Sequence, residues 1–508
     1  MALAVDYDGT LARNGKVTRK TIQALERVKE SGRHVILVTG RQLDDLMNVF
    51  PQVEVFERVV AENGALLYNP RTKEETVLGE PVPEELVNAL RQRKVKKLTT
   101  GHSIVATVEP YDADALDVIQ ELGLERQIIF NKGAVMILPS GVNKETGLRA
   151  ALDQLGLSEH NTIGIGDAEN DHAFLAQCEC AVAVSNAIDS IKARADIVTS
   201  GDHGAGVVEL IEKLLADDLA DMTGKMTRHD LLLGAADGKE ITLKPAGTSI
   251  LVAGPSGSGK STASTAILER LGEAGYQFCL IDPEGDYESL PGAVVVGSAT
   301  SRPDLDEVMQ LLAQPDQNVV VSMLDVPLDD RPGFFAGFLP RLLEMRVRTG
   351  RPHWIVADEA HHLLPASWKP AAQELPQELS ELLLITVHPE SVSSAVLANV
   401  NTVIAVGGET DKTFASFAKA AKVRAPKMDY PELSSGEVLL WRRGGRQKPV
   451  TVTVTPAKME RRRHQRKYAA GEIPEQEHFF FRGPREELNL RSQNLLVFLQ
   501  NGEGVDDE

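Results

Sequence analysis

Short apolar runs punctuate the chain, and several stop abruptly at polar residues. Ala2-Leu3-Ala4-Val5 ends in Asp6-Tyr7-Asp8-Gly9-Thr10, His34-Val35-Ile36-Leu37-Val38 in Thr39-Gly40-Arg41, and Ile163-Gly164-Ile165-Gly166 in Asp167-Ala168-Glu169-Asn170-Asp171. Further along, Ser249-Ile250-Leu251-Val252-Ala253 ends in Gly254, Phe278-Cys279-Leu280-Ile281 in Asp282, Trp354-Ile355-Val356-Ala357 in Asp358-Glu359, and Leu382-Leu383-Leu384-Ile385-Thr386 in Val387-His388. Continuous apolar runs of this length read as strands buried on both faces, the pattern of parallel sheets covered by helices. Ligands of such sheets gather at the carboxyl ends of the strands, so the polar stops are the candidate sites. The pattern predicts an α/β protein built from two three-layer, Rossmann-like units.

Between the second and third stops the texture changes. Ala65 to Gly79 reads as a hairpin, Pro83 to Lys94 as a helix, His102 to Val108 as a strand, Asp112 to Leu122 as a helix and Gln127 to Leu138 as a second hairpin. This order predicts a small α/β cap over about 65–140 that closes on the loops and selects substrate, with His102 as a candidate contact. Ala216 to Asp230 is polar and without sustained periodicity. The expected organisation is therefore a first unit over 1–216, a linker over 217–230, a second unit over 231–455 and a C-terminal arm over 456–508, in keeping with about 150 residues per domain.

Composition narrows the class. Hydrophobic residues at 42% and charged residues at 25% are ordinary for a soluble globular protein. No apolar run approaches the roughly eighteen residues of a membrane span, and the chain enters a strand at Ala2 without a basic region or cleavage site, so a cytoplasmic protein with no membrane partner is expected. Three cysteines cannot make a disulfide framework, and Cys178 and Cys180 read as packing residues. A net charge of −19 argues against a surface that coats nucleic-acid phosphates, while leaving room for a local basic pore. The one concentrated basic run, Lys458 to Lys467, is either a solvated face or a phosphate contact. Phe479-Phe480-Phe481-Arg482 beyond it would stack bases or pack on a neighbouring subunit.

Gly254-Pro255-Ser256-Gly257-Ser258-Gly259-Lys260-Ser261 fits the phosphate-binding pattern G-x-x-x-x-G-K-[ST], with a strand before it and a helix-forming run from Thr262 after it. Gly254, Gly257 and Gly259 let the backbone bend round the triphosphate of ATP, while N–H groups through Thr262 and the helix N-terminus face its oxygens. Lys260 reaches the β- and γ-phosphates, and Ser261 ligands Mg²⁺. Asp358 and Glu359, closing an apolar strand, suit Mg²⁺-water coordination and a water-polarising base, which marks ATP hydrolysis rather than binding alone. Asp6 and Asp8 share one short loop with Gly9 and Thr10, an arrangement that suits a nucleophile, an acid/base neighbour and Mg²⁺ coordination.

The stops at Asp6 to Thr10, Thr39 to Arg41, Asn143-Lys144 and Asp167 to Asp171 together resemble the haloacid dehalogenase-like phosphatases, in the capped, Cof-like branch, over about residues 1–215. The resemblance implies that Asp6 attacks phosphorus to give an aspartyl-phosphate, and that Asp8 protonates the leaving group and later activates water. It also implies that Thr39 and Lys144 hold the phosphoryl group, that Asp6, the Asp8 carbonyl and Asp167 bind Mg²⁺, that Asp171 steadies the metal shell, and that Asn170 contacts phosphate. Glu62-Asn63-Gly64 resembles the family's entry to the cap.

From 231 to 455, the glycine-rich loop together with Asp282-Pro283-Glu284-Gly285-Asp286-Tyr287 and Asp358-Glu359-Ala360-His361 resembles the HerA/FtsK-like hexameric ATPases. That likeness implies a RecA-like fold, ATP as ligand and a homo-hexamer in which a neighbouring subunit supplies an arginine; Arg341, Arg346, Arg348 and Arg351 are the candidates. Where relatives carry a polar sensor, Val387 and His388 stand here, with Thr386 as the substitute. His361 and His362 point different ways on a helix and make no metal pair. Leu433 to Glu437 looks like a transporter signature but lies on the wrong side of the Asp358-Glu359 strand. The expected function is a bifunctional hydrolase, a Mg²⁺-dependent phosphatase fused to a ring-forming ATPase, acting in nucleic-acid processing or defence on a phosphorylated small molecule or nucleic-acid end, with DNA as a candidate partner. The alternative is a metabolic sugar-phosphate phosphatase with a regulatory or scaffolding ATPase.

Overall fold

The apolar runs become the middle strands of two large sheets in a computed structural model that describes residues 1–223, 226–368, 380–444, 448–458, 479–481 and 490–492. The first sheet runs in the order β12-β11-β10-β1-β2-β3-β4-β5. Its members are β1 (Ala2–Asp6), β2 (His34–Val38), β3 (Arg58–Ala61), β4 (Leu66–Asn69), β5 (Glu74–Val77), β10 (Thr162–Gly166), β11 (Cys180–Ala183) and β12 (Ile197–Val198). Strands β12 through β3 are parallel, and the register sets Asp6 beside Val38 and Val5 beside Ile165. The loops after β1, β2 and β10 therefore emerge side by side. The chain leaves β1 towards β2 on one side and comes back to β10 on the other, which makes the crevice above β1 the switch point where such sheets bind ligands.

The hairpin at 65–79, expected to open the cap, belongs to this sheet instead, with β4 antiparallel to β3 and β5 to β4. An alternating strand carries no label for the neighbour it will pair with. The cap itself is a four-stranded sheet of β6 (Thr99–Thr100), β7 (Val105–Val108), β8 (Arg126–Asn131) and β9 (Ala134–Pro139), in the order β6-β7-β9-β8. Helices Glu84–Gln92 and Asp112–Glu121 cover one face of it, packing Leu86, Leu90 and Val118 on Val105 and Ile137.

The second sheet holds β13 (Leu231–Ala236), β14 (Lys239–Leu243), β15 (Ile250–Ala253), β16 (Phe278–Asp282), β17 (Ala293–Val296), β18 (Asn318–Ser322), β19 (Trp354–Ala357), β20 (Leu382–Thr386), β21 (Thr402–Val406), β22 (Glu437–Arg442) and β23 (Val450–Val454). Their order is β14-β13-β23-β22-β21-β15-β20-β19-β16-β18-β17, parallel from β21 to β17. Helix Lys260–Glu273 packs Ala266, Ile267 and Leu271 on one face, and helix Arg331–Thr349 packs Phe335, Phe338 and Leu342 on the other. Near the C-terminus β24 (Phe479–Phe481) pairs with β25 (Leu490–Ser492). The basic run beyond Lys458, and Arg482, lie outside the described residues.

Arg228 and His229, in the stretch expected as a linker, are tied to the first sheet's layer: Arg228 donates to the Leu175 and Arg194 carbonyls and pairs with Asp196, and His229 Nε2 lies 3.1 Å from the Cys178 carbonyl. The amino ends of strands from the two sheets also meet. The His160 ring, just before β10, stacks on Tyr276, just before β16, with centroids 3.7 Å apart, and its Nε2 lies 2.7 Å from the Ala274 carbonyl. Tyr276 Oη donates to Glu179 Oε2 (2.7 Å), and Arg351 Nη2 to the Gly156 carbonyl (2.6 Å). Among the described residues no helix is long and apolar enough to cross a membrane.

Candidate active site

The β1 loop turns back at once, because the Leu11 N–H bonds the Asp6 and Tyr7 carbonyls and the Gly9 N–H bonds that of Ala12. Gly9 sits at φ +90°, and a Cβ there would collide with Asp167 Oδ2 and Lys132 Nζ, so only glycine keeps this space open. Asp6 is 4% exposed at the strand end. Opposite it, Asn143 caps helix Lys144–Leu155 by accepting the Thr146 N–H (3.0 Å), which fixes Lys144 in the first turn. Lys144 Nζ then donates to both Asp6 Oδ1 and Asp171 Oδ1 at 2.6 Å. Asp171 Oδ2 in turn accepts the Asp167 and Ala168 N–H groups (2.8 and 2.9 Å), and Thr10 Oγ1 donates to Asp167 Oδ1 (3.2 Å).

The electrostatics follow from burying acids together. Burial raises the Asp6 carboxyl well above its ordinary range, the Asp171 and Asp167 charges push the same way, and Lys144 opposes them. Asp167 is raised mainly by burial, against the pull of Lys132. Burial alone would weaken the Lys144 ammonium, but Asp171 and Asp6 hold its pKa above the usual lysine value. Asp6, Asp167 and Asp171 bring carboxylate oxygens within 4.8 Å of one another. A set of hard oxygen donors in cationic deficit, opening onto the space kept by Gly9, fits a divalent ion such as Mg²⁺.

The other residues named from sequence are placed as follows. Thr39 is fully buried at the end of β2, its hydroxyl accepting the Arg41 N–H (3.1 Å). Asp8 is gripped by Arg41, Nε to Oδ2 at 2.6 Å and Nη2 to Oδ1 at 2.7 Å, while Arg41 also pairs with Asp45. Asn170 Nδ2 donates to Asn63 Oδ1 (2.9 Å). His102 and Ser103 anchor the cap, both N–H groups donating to the Glu62 carboxylate at 2.9 Å. Sequence reasoning passed over Lys132, whose ammonium reaches from the β8–β9 turn to Asp167 Oδ2 (2.5 Å), and the roles of Arg41 and Asn63. The only signal for Lys132 was its position, at the tip of a hairpin.

The second cluster lies at the carboxyl ends of β15, β19 and β16. Gly257 and Gly259 take φ +72° and +104°, and helix Lys260–Glu273 starts with no side-chain cap, leaving its first N–H groups, including that of Thr262, for a ligand. Gly254 abuts the Val406 carbonyl too closely for a side chain. Lys260 folds back on the Pro255 carbonyl (3.0 Å), and Ser261 Oγ donates to Asp286 Oδ2 (3.4 Å). Burial lowers the Lys260 pKa against the opposing charges of Glu359, Asp358 and Glu284. Asp358 is raised well above its ordinary value by burial, then by Asp282 and Glu359. Glu359 sits at φ +41°, its buried Oε2 without a hydrogen bond but 3.3 Å from His361 Nδ1. Thr386 Oγ1 is shared by His361 Nδ1 and the His388 N–H, both at 3.0 Å, and burial lowers the His361 pKa to about 4. Two of the four arginines named as intersubunit candidates are spent on structure. Arg346 binds the Pro352, Ser380 and His353 carbonyls, and Arg351 those of Leu312, Gly156 and Ala313.

A doubly wound sheet with buried carboxylates and a lysine converging at its switch point, under a small cap, defines a phosphoryl-group hydrolase. The family model of the haloacid dehalogenase-like hydrolases matches residues 3–110 and 90–211. A phosphoglycolate phosphatase of Methanothermobacter thermautotrophicus is 31% identical over 222 residues, which is 42% of this chain and 98% of that protein. Phosphoglycolate phosphatase 2 of Saccharolobus solfataricus is also 31% identical, covering 42% of this chain and 92% of its own. The 5-amino-6-(5-phospho-D-ribitylamino)uracil phosphatase of Bacillus subtilis is 24% identical over 42% of this chain and 96% of its own. Through its N-terminal part, the chain belongs to the haloacid dehalogenase-like hydrolases.

Proposed function

We propose that the N-terminal part hydrolyses small phosphomonoesters through an aspartyl-phosphate on Asp6, and that the second sheet hydrolyses ATP. The buried Asp6, Lys144 and Asp171 line, with Asp167 beside it, carries the first reading. Asp6 attacks phosphorus as the bond to the leaving oxygen breaks, and Lys144 and Thr39 hold the phosphoryl oxygens. Asp8, once released by Arg41 and protonated by solvent water, gives that proton to the leaving oxygen. It then takes one from the water that attacks the aspartyl-phosphate, which releases phosphate and restores Asp6. Asp6, the Asp8 carbonyl and Asp167 would hold Mg²⁺, backed by Asp171, and the ion when bound neutralises phosphoryl charge.

The relatives' names favour a small metabolite over a nucleic-acid end as substrate. Asp6→Asn is expected to lower phosphomonoester turnover by about 10³-fold or more while ATP turnover continues, since the nucleophile itself is lost. Normal Mg²⁺-dependent phosphatase activity in that variant refutes the reading. For the second sheet, the supporting observation is the uncapped helix start with a buried lysine facing Asp358 and Glu359. Lys260→Ala should abolish ATP hydrolysis, read as phosphate release with no phosphomonoester present, and unchanged turnover would dismiss the ATPase.

A further inference from the structure

Three cations meet the carboxylates of the phosphatase site, and they are not equivalent. Lys144 is buried between Asp6 and Asp171. Arg41 is shared by Asp8 and Asp45, its guanidinium over the Tyr7 ring. Lys132 comes from the other layer, the cap, remains 46% exposed, and leans on Asp167, one of the carboxylates suited to the metal. A divalent ion on Asp167 competes directly with that ammonium and repels it. The displaced Lys132 is then a cation over the mouth of the site without its carboxylate.

We propose that Lys132 is the specificity residue of the cap: it surrenders Asp167 to the metal and grips a second anionic group on the leaving-group side of the substrate, so the preferred substrates are small phosphomonoesters that also carry a carboxylate. This rests on the phosphatase reading above. Cap and core meet beside the site, since a Cβ placed on Gly40 would lie at ordinary contact distance from Met136 Sδ of β9 (3.5 Å), Asn170 Nδ2 (3.5 Å) and Asn63 Oδ1 (3.7 Å). The seam between them is lined for a polar ligand. Asn63 Nδ2, Asn170 Oδ1 and, next to Lys132, Asn131 Oδ1 are buried without hydrogen-bond partners. A buried polar atom left unbonded in the free protein is a place for a ligand atom. The Glu62 carboxylate pins the cap from the far side, so the β8–β9 turn stays within a lysine's reach of the mouth.

The test compares 2-phosphoglycolate with ethyl phosphate, which share a two-carbon frame and differ in the carboxylate. In Lys132→Met, the ratio of their kcat/KM values is expected to fall by about 30-fold or more, chiefly through KM for phosphoglycolate, and Lys132→Arg should restore most of it, as a charge-assisted contact requires. Calorimetric titration of the substrate-free protein with Mg²⁺ should show Lys132→Met binding the ion about 5-fold or more tighter, because its competitor is gone. A ratio unchanged within twofold, or equal losses on both substrates, overturns the proposal, as does Mg²⁺ affinity equal to wild type. Wild-type protein inactive on both esters would instead remove the phosphatase reading beneath it.

Discussion

Lys144 is an ammonium group 1% exposed with a carboxylate on either side. Removing one partner of such a cluster strands the others in a dry site, at a cost of about 3–5 kcal/mol. Lys144→Met should therefore unfold at clearly lower temperature in the absence of Mg²⁺ and recover part of the loss when the ion is added, as read by scanning calorimetry. His353 gives a second expectation at this scale. Burial, then the His160, Arg351 and Arg346 charges, lowers its pKa well below the ordinary histidine value, and its Nδ1 accepts the Gln277 N–H at 2.8 Å. A base with a depressed folded pKa takes up a proton on unfolding, so the stability it contributes is present above about pH 6.5 and falls as pH drops below, by up to about 1.4 kcal/mol per pH unit. Urea melts from pH 7.5 to 5 should show this slope in wild type and a shallower one in His353→Asn, which keeps an acceptor but not a titrating ring. Asp6, Asp8, Lys144 and Asp167 were legible because each stands where an apolar strand stops or a helix begins. Lys132 and Asn63 were not, because their partners lie across the gap between cap and core, an arrangement that no local spacing encodes. The bonds of Arg346 and Arg351 stayed hidden for the same reason, since spacing says nothing of the carbonyls that claim a guanidinium.

At the scale of elements, β1, β2, β10, β15, β16, β19 and β20 read directly from their apolar runs, whereas the hairpin of β4 and β5 did not reveal which sheet it would join. Its alternation satisfies a half-buried edge in either place. One contact between cap and core can be cut without altering the residues proposed for catalysis. Glu62, at φ +51° and 1% exposed, accepts the His102 and Ser103 N–H groups and binds the cap to the end of β3. Glu62→Gln keeps the shape but replaces one acceptor oxygen with a donor, which leaves one of those N–H groups unbonded at a cost of about 1–3 kcal/mol. Amide exchange at 102 and 103 should accelerate by about tenfold or more, while amides of β1 and β10 keep their protection. Equal acceleration in both regions would mean that the cap and core open as one unit.

For the whole molecule, the ring assembly expected of the second sheet is a proposal with a direct consequence. If a neighbouring subunit completes the ATP site, specific ATPase activity should fall on dilution, and adding Lys260→Ala subunits should inhibit more steeply than their fraction. Light scattering that finds a monomer with concentration-independent turnover would end that idea. The seam at His160, Tyr276 and Arg351 sets a further condition, because it joins the amino ends of strands from the two sheets and leaves their carboxyl ends on the sides away from the joint. If the second sheet hydrolyses ATP as proposed, its site and the phosphatase site lie at opposite ends of this joint, on the carboxyl sides of β15 and β1. In that case the joint gives the two units a fixed one-to-one dose and a shared footing, so that any tilt of the second sheet would carry the phosphatase with it as a passenger.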